Sequence, residues 1–77
     1  MMKVWAYIFI TTNQPRKVVQ AIRKIVGVVK ADALFGTPDA IAIVEGTDIE
    51  TMDAVIDKIV KVKDVIGTES KIARWIR

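Results

Sequence analysis

The chain repeats itself at a fixed distance. Lys24-Ile25-Val26 reappears 34 residues later as Lys58-Ile59-Val60, and Ala6 and Ala40 have the same spacing. Each half starts with a short β-branched run and continues into a segment whose apolar residues recur at helical spacing. With 77 residues in total, the chain has room for one small domain. The repeat therefore predicts two βαβ halves that share one core in a single domain.

Four strands and two helices account for the two halves. The first helix is predicted to start at Asn13 and Pro15 and to stop at Gly27, because Asn caps free amides, Pro fits the first turn and Gly ends helices. Thr47 and Glu50 match a capping box at the start of the second helix. The predicted strands are residues 3–11, Val28–Phe35, Ala40–Glu45 and Val65–Ile76.

Right-handed crossovers in both halves predict the sheet. They give an antiparallel sheet of four strands in the order 4-1-3-2, with both helices on one face. The predicted fold class is thus α+β, a ferredoxin-like βαββαβ sandwich.

The first strand has two apolar faces, whereas a sheet covered on one side needs only one. Val4, Ala6, Ile8 and Ile10 form an aliphatic face, which we assign to the helix side. The opposite, open face is then apolar as well, and a second copy of the sheet is its natural cover. If the two faces were exchanged, an apolar face would still be exposed. The predicted dimer interface is Trp5, Tyr7, Phe9, Ile41 and Ile43.

Charges are segregated along the chain. Residues 1–31 carry six basic side chains and no acidic one, whereas residues 32–57 carry seven acidic side chains and no basic one. A nucleic-acid surface needs one continuous positive face, which these balanced blocks do not supply. They indicate either two solvated helix faces of opposite sign or surfaces that steer contacts between subunits.

Several function classes are excluded by residues that the chain lacks. It has no Cys and no His, which removes disulfides, thiol nucleophiles, the usual transition-metal sites and histidine acid–base catalysis. No cofactor or metal is therefore expected. No apolar run reaches the 18 to 20 or so residues of a membrane helix, so we expect a cytoplasmic protein without a membrane partner. Few Asn and Gln accompany the missing Cys, which fits a thermophilic source.

Four polar positions are candidates for ligand binding. The backbone amide of Gly36 can bind an anion, the carboxylate of Asp39 can accept from an ammonium, and the hydroxyls of Thr68 and Ser70 can do either. Together these groups can hold both ends of a zwitterion. Alternatively, Asp39 is a turn residue that bonds its own backbone, and Thr68 and Ser70 are solvated strand residues.

Two motifs resemble the effector-binding domain of Lrp/AsnC transcriptional regulators, the RAM domain. They are Gly36-Thr37-Pro38-Asp39, followed by alternating apolar residues, and Val65–Ala73. Ile25–Val28 is similar to the helix-to-strand passage of that family, with Val26 in place of its usual proline. The resemblance covers nearly the whole chain and implies the same βαββαβ order.

The resemblance also implies a function. Family members carry an N-terminal helix-turn-helix, whereas this chain begins at the first strand, so we expect a RAM module without a DNA-binding domain and without direct contact to nucleic acid. The family implies dimers through the open sheet faces, assembled into octameric or decameric rings, with a small amino acid bound between dimers. Gly36, Asp39, Thr68 and Ser70 would lie at that pocket. We expect the loop residues Gly36 and Asp39 to lie at one side of the sheet and the strand residues Thr68 and Ser70 at the other. A pocket that contains both pairs must then lie between subunits.

The expected function is therefore non-enzymatic: amino-acid sensing that modulates transcription through co-assembly with full-length Lrp/AsnC regulators. One alternative is an oligomerisation module without a ligand. Another is a small cofactor-independent dimeric enzyme, for which only carboxylates and Tyr7 could serve as acids or bases. The ligand, the ring size and the role of Trp75 are not determined by the sequence.

Overall fold

The computed structural model of the protein describes residues 3–74. Its elements follow in the order β1 (Val4–Thr12), α1 (Pro15–Ile22), β2 (Val28–Ala33), β3 (Ala40–Gly46), α2 (Ile49–Val60) and β4 (Val65–Ile72). All strand pairs are antiparallel and the sheet order is β2-β3-β1-β4. Counted from the other edge, this is the predicted 4-1-3-2 order, so the ferredoxin-like fold is confirmed. Within residues 3–74, neither helix is long and apolar enough to span a bilayer.

The core lies between the sheet and the two helices. Alternate residues of β1, among them Ala6, Ile8 and Ile10, are completely buried. They belong to one cluster with Val18 and Ile22 of α1 and with Met52, Val55 and Ile59 of α2. The assignment of the aliphatic face of β1 to the helix side is thus confirmed. The exchanged arrangement, with the aromatic residues under the helices, is excluded.

Two strands are shorter than predicted. β2 ends at Ala33 instead of Phe35, because the Leu34 amide donates to the Asp39 carbonyl at 2.9 Å and closes the loop before β3. Gly36 in this loop has a φ of +105°, which glycine adopts without strain. β4 ends at Ile72. The predicted continuation through Trp75 to Ile76 extends beyond the part of the chain that the structure describes.

The first helix begins at Pro15 as predicted, but its predicted cap at Asn13 and its predicted end at Gly27 are wrong. The residue before α1 is Gln14, and its side chain makes no capping hydrogen bond. Asn13 does not act as the cap. Instead, the buried Thr12 hydroxyl accepts a hydrogen bond from the Gln14 amide at 2.9 Å, just before the helix begins. α1 ends at Ile22, followed by tight turns. Gly27 lies in the following connection with φ at +102°, against Val55 of α2.

The second helix is capped by Asp48 and not by Thr47, so the predicted capping box is wrong. Because Asp48 is extended and the helix begins at Ile49, Asp48 occupies the capping position, and its Oδ1 accepts from the Thr51 amide at 2.7 Å. This backbone hydrogen bond, together with the Thr51 side chain, lowers the pKa of Asp48 below its ordinary value of 3.8.

The cap predicts a contrast between two neighbouring substitutions. Asp48→Ala should lower the midpoint of thermal unfolding at neutral pH, whereas Thr47→Ala should leave it nearly unchanged. Folding lowers the pKa of Asp48. Its carboxylate therefore contributes fully to the stability of the fold above about pH 3.8, and this contribution is lost as the pH falls through the lowered pKa. Thermal melts from pH 7 to pH 2 should show the two variants converging; equal midpoints at pH 7 would contradict the assignment of the cap.

Candidate functional site

The open face of the sheet carries the aromatic side chains of β1. Tyr7 pairs with Ile43 of β3 and Phe9 pairs with Ile41. Residues directly opposite each other in antiparallel strands point to the same side, so these four side chains share one face. Tyr7 is 41% exposed and the neighbouring Trp5 is 39% exposed. The five residues predicted for an interface therefore lie together on the face that the helices leave uncovered.

Charged pairs border this apolar face on both edge strands. On β2, Lys30 and Asp32 pair with Ile43 and Ile41, and the Lys30 ammonium lies 3.5 Å from the Asp32 carboxylate. On β4, Glu69 and Lys71 form a similar pair, 3.7 Å apart, opposite Phe9 and Tyr7 of β1. An apolar centre with a charged rim is the usual composition of a protein–protein interface.

A groove of about 580 Å³ lies at one end of the open face. This volume is within the range of small-molecule sites. The groove combines an aromatic ring, three hydroxyl-bearing side chains and one charge of each sign. Its lining residues are Phe9, Thr11, Thr37, Pro38, Gly67, Thr68, Glu69 and Lys71.

The β2–β3 loop and β4 meet at this groove. We expected the Gly36–Asp39 segment and the polar residues of β4 to lie at opposite sides of the sheet, but Thr37 and Pro38 line the same groove as Thr68. The loop is held at the end of β1, because the Asp39 amide donates to the Ile10 carbonyl at 3.0 Å. Each subunit thus contributes both parts of the candidate site.

Asp39 fixes this loop to β1. Its Oδ2 accepts a hydrogen bond from the Thr12 amide at 3.0 Å, so the carboxylate bonds a neighbouring strand and not its own turn. Thr12 is buried, and its hydroxyl donates to the Asp64 carbonyl at 2.7 Å. The Thr12 hydroxyl also accepts a hydrogen bond from the Gln14 amide. One polar network therefore joins the loop beside the groove to the start of α1 and to the connection before β4.

The other predicted site residues lie at different distances from the groove. Gly36 is at the exposed tip of the loop, where an added Cβ would meet no atom within 4 Å. Thr68 lines the groove. Ser70 pairs with the buried Ile8, and its side chain therefore lies on the helix side of β4. Gly36, Asp39 and Ser70 are not among the lining residues.

The sequence analysis assigned no ligand-binding role to Glu69 or Lys71. Both line the groove, and both are more than half exposed. The available signal was the alternation along β4: Thr68 and Ser70 occupy one side of the strand, and the two charged residues occupy the other. Assigning the β4 faces by pairing with Tyr7 and Phe9 would have placed the charged residues on the open face. In the part of the chain that the structure describes, no cluster of three carboxylates suits a metal ion.

Family comparison gives this geometry a context. The model of the Lrp/AsnC ligand binding domain matches residues 5–74, which is almost the entire chain. The chain belongs to the Lrp/AsnC family. This confirms the resemblance drawn from the loop and β4 motifs. Lrp/AsnC domains of this type are regulatory ligand-binding domains rather than an enzyme class.

Several solved structures share the fold. The protein TTHA0845 from Thermus thermophilus has a TM-score of 0.86 at 25% identity, with 96% of each chain covered. AsnC from E. coli has a TM-score of 0.82 at 19% identity; the match covers 95% of this chain but 52% of AsnC.

A transcriptional regulator from Neisseria meningitidis, NMB0573, was solved in complex with L-Met. It has a TM-score of 0.76 at 19% identity, and the match covers 94% of this chain and 50% of that chain. This chain therefore spans about half the length of the two regulators. No curated protein matches it.

Proposed function

We propose that this Lrp/AsnC chain is an amino-acid sensor that binds its ligand in the groove between the β2–β3 loop and β4. The observation that carries the proposal is the meeting of Thr37 and Pro38 with Thr68, Glu69 and Lys71 around one groove. Family membership and the L-Met complex of the Neisseria meningitidis regulator support an amino acid as the ligand class.

The chemistry of the groove suits a zwitterion. The Glu69 carboxylate can accept from the ligand ammonium, and the Lys71 ammonium can donate to the ligand carboxylate. The ring of Phe9 and the adjacent Pro38 offer apolar contact to a side chain. Thr11 and Thr37 supply hydroxyls at the border, and Thr68 lines the groove from β4.

Gly36 and Asp39 support the site from the β2–β3 loop. The Asp39 carboxylate accepts from the Thr12 amide and so holds the neighbouring Thr37 and Pro38 beside the groove. The exposed amide of Gly36 can bind a carboxylate. Ser70, on the helix side of β4, lies outside the groove.

A second copy of the chain closes the groove. Phe9 belongs both to the groove and to the open face, so pairing of two open faces through Trp5, Tyr7, Phe9, Ile41 and Ile43 would cover the groove as well. A ligand bound there would be enclosed between subunits. Occupancy and assembly are then linked, because a ligand that binds the assembled form stabilises it by mass action.

The regulatory output follows from co-assembly. An open sheet face that pairs with its own copy can also pair with the same face of a full-length Lrp/AsnC regulator. We therefore propose a non-enzymatic, cytoplasmic module that acts on transcription through such regulators, as a dimer or as part of an octameric or decameric ring, without direct contact to DNA.

Calorimetric titration with each of the twenty amino acids tests the ligand. One or a few should bind, and Lys71→Met should weaken that binding by about 10- to 100-fold, because a hydrogen bond to a charged group contributes about 1.5–3 kcal/mol. Lys63→Met is the matched control, since Lys63 is an exposed lysine outside the groove. Its affinity should equal that of the unmodified protein.

A second pair of variants locates the ligand on β4. Glu69→Gln should weaken binding several-fold, because its carboxylate lines the groove, whereas Ser70→Ala, on the helix side of the strand, should have a smaller effect. Binding that is insensitive to Lys71 and Glu69 would place the ligand elsewhere. If no amino acid binds while the protein still assembles, the function would be oligomerisation alone, and the sensor proposal would be rejected.

A further inference from the structure

The two helices carry opposite charges at equivalent positions. The two halves of the chain are related by a spacing of 34 residues. Under this spacing Arg16 of α1 is equivalent to Glu50 of α2, and Arg23, the C-cap of α1, is equivalent to Asp57. All four side chains are exposed. The eight-residue α1 with its cap and the twelve-residue α2 therefore present charges of opposite sign with the same spacing.

Three of these four charges have no ion pair among residues 3–74: Arg16, Glu50 and Asp57. Arg23 is held beside β2, because its Nε donates to the Ala31 carbonyl at 2.9 Å and its guanidinium lies 3.4 Å from Asp32. The second guanidinium edge of Arg23 is left for a further partner. α1 packs against β2 and β3, whereas α2 packs against β1, β3 and β4. Both lie on the side of the sheet opposite to the open face, so an interaction through the helices leaves the open face free.

We propose that α1 of one copy binds α2 of a second copy, with Arg16 and Arg23 facing Glu50 and Asp57. Charges seven residues apart on a helix are separated by about 10.5 Å along its axis. Both pairs can therefore form at once when the helices lie side by side. This contact is independent of the groove and of its ligand.

Charge complementarity favours a second copy over a nucleic acid as the partner. A polyanion would be attracted to α1 but repelled by Glu50 and Asp57 in the same helix layer. A second copy carries both surfaces and satisfies both signs. The contact can also be repeated by further copies, because each added copy has one basic helix and one acidic helix.

Two charge-reversed full-length variants test the contact by mixing. Arg16→Glu with Arg23→Glu gives these two positions the negative sign of Glu50 and Asp57. Glu50→Arg with Asp57→Arg gives the two positions of α2 the positive sign of Arg16 and Arg23. In sedimentation velocity at low salt, each variant alone should associate at least tenfold more weakly than the unmodified protein. An equimolar mixture should recover association, because the acidic α2 of the first variant can bind the basic α1 of the second.

Salt and a matched control separate this contact from general charge effects. Lys63→Glu with Arg74→Glu changes the net charge as much as the first variant but alters exposed residues outside the two helices, so its association should be unchanged. Raising the salt to 1 M should weaken the association of the unmodified protein. Variants that assemble like the unmodified protein, or a mixture that recovers nothing, would overturn the proposal, whereas ligand binding in the groove would be unaffected.

Discussion

Replacing Tyr7 with glutamate should reduce the association of the protein through its open sheet face by more than about a hundredfold. Tyr7 lies in the middle of that face, between Ile43 of β3 and Lys71 of β4. A buried large apolar side chain contributes about 1.5–3 kcal/mol, and an unpaired carboxylate in an apolar contact costs several kcal/mol more. Sedimentation equilibrium at 1 M salt, which weakens the proposed helix contact, would measure the change as a shift toward single chains of 8.6 kDa.

Val26→Glu is the matched control for this experiment. Val26 is 86% exposed, and it lies in the connection between α1 and β2, away from the open face. The same charge introduced there should leave the association unchanged. If Tyr7→Glu and Val26→Glu associate equally well, the open face does not pair, and the proposed closure of the groove by a second subunit would be rejected.

Ile8→Ala should destabilise the fold by about 2–5 kcal/mol, the usual cost of emptying a large buried aliphatic site. Ile8 follows Tyr7 in β1 but points to the opposite side of the sheet, where it is completely buried among the residues of the core. Urea unfolding followed by circular dichroism would measure the change. Stability of small domains is commonly between about 5 and 15 kcal/mol, so this loss is a large fraction of it.

The matched control for Ile8 is Ile66→Ala in β4. Ile66 is 63% exposed, and its truncation should change the free energy of unfolding by less than about 0.5 kcal/mol. If Ile8→Ala were as mild as Ile66→Ala, the assignment of the two faces of β1 would be wrong. Because adjacent residues are tested for different properties, stability for Ile8 and association for Tyr7, the two sides of the strand are examined separately.

The two faces of β1 were predictable because alternation in a strand is strict. Side chains of neighbouring residues point to opposite sides of the strand. β1 therefore has one aliphatic and one aromatic face, and the smaller, aliphatic side chains were assigned to the side under the helices. The strand order followed from the right-handed crossovers of the two halves. Both arguments use regular backbone geometry, which can be predicted from a short sequence pattern.

The groove was harder to predict because it depends on a loop. Its position is set by hydrogen bonds from the Thr12 amide to the Asp39 side chain and from the Asp39 amide to the Ile10 carbonyl. Such contacts between distant parts of the chain leave no periodic signal. The sequence analysis therefore identified the motif at Gly36–Asp39 and the polar residues of β4 but expected them far apart.

The cap of the second helix was predicted wrongly for a local reason. Thr47 and Asp48 are both good capping residues, and which of them caps α2 depends on where the chain turns after β3. Gly46 fits closely against the first turn of the helix, where an added Cβ would lie 2.7 Å from the Met52 backbone nitrogen. This close approach fixes the turn and places Asp48 at the cap.

The mass of the unmodified protein in solution tests the central claim most directly. The open face holds Trp5, Tyr7 and Phe9 outside the core, and we propose that a second copy covers them. Sedimentation equilibrium at micromolar concentrations should give a mass at least twice the 8.6 kDa of one chain. A mass of 8.6 kDa that persists as the concentration rises to the millimolar range would contradict the account.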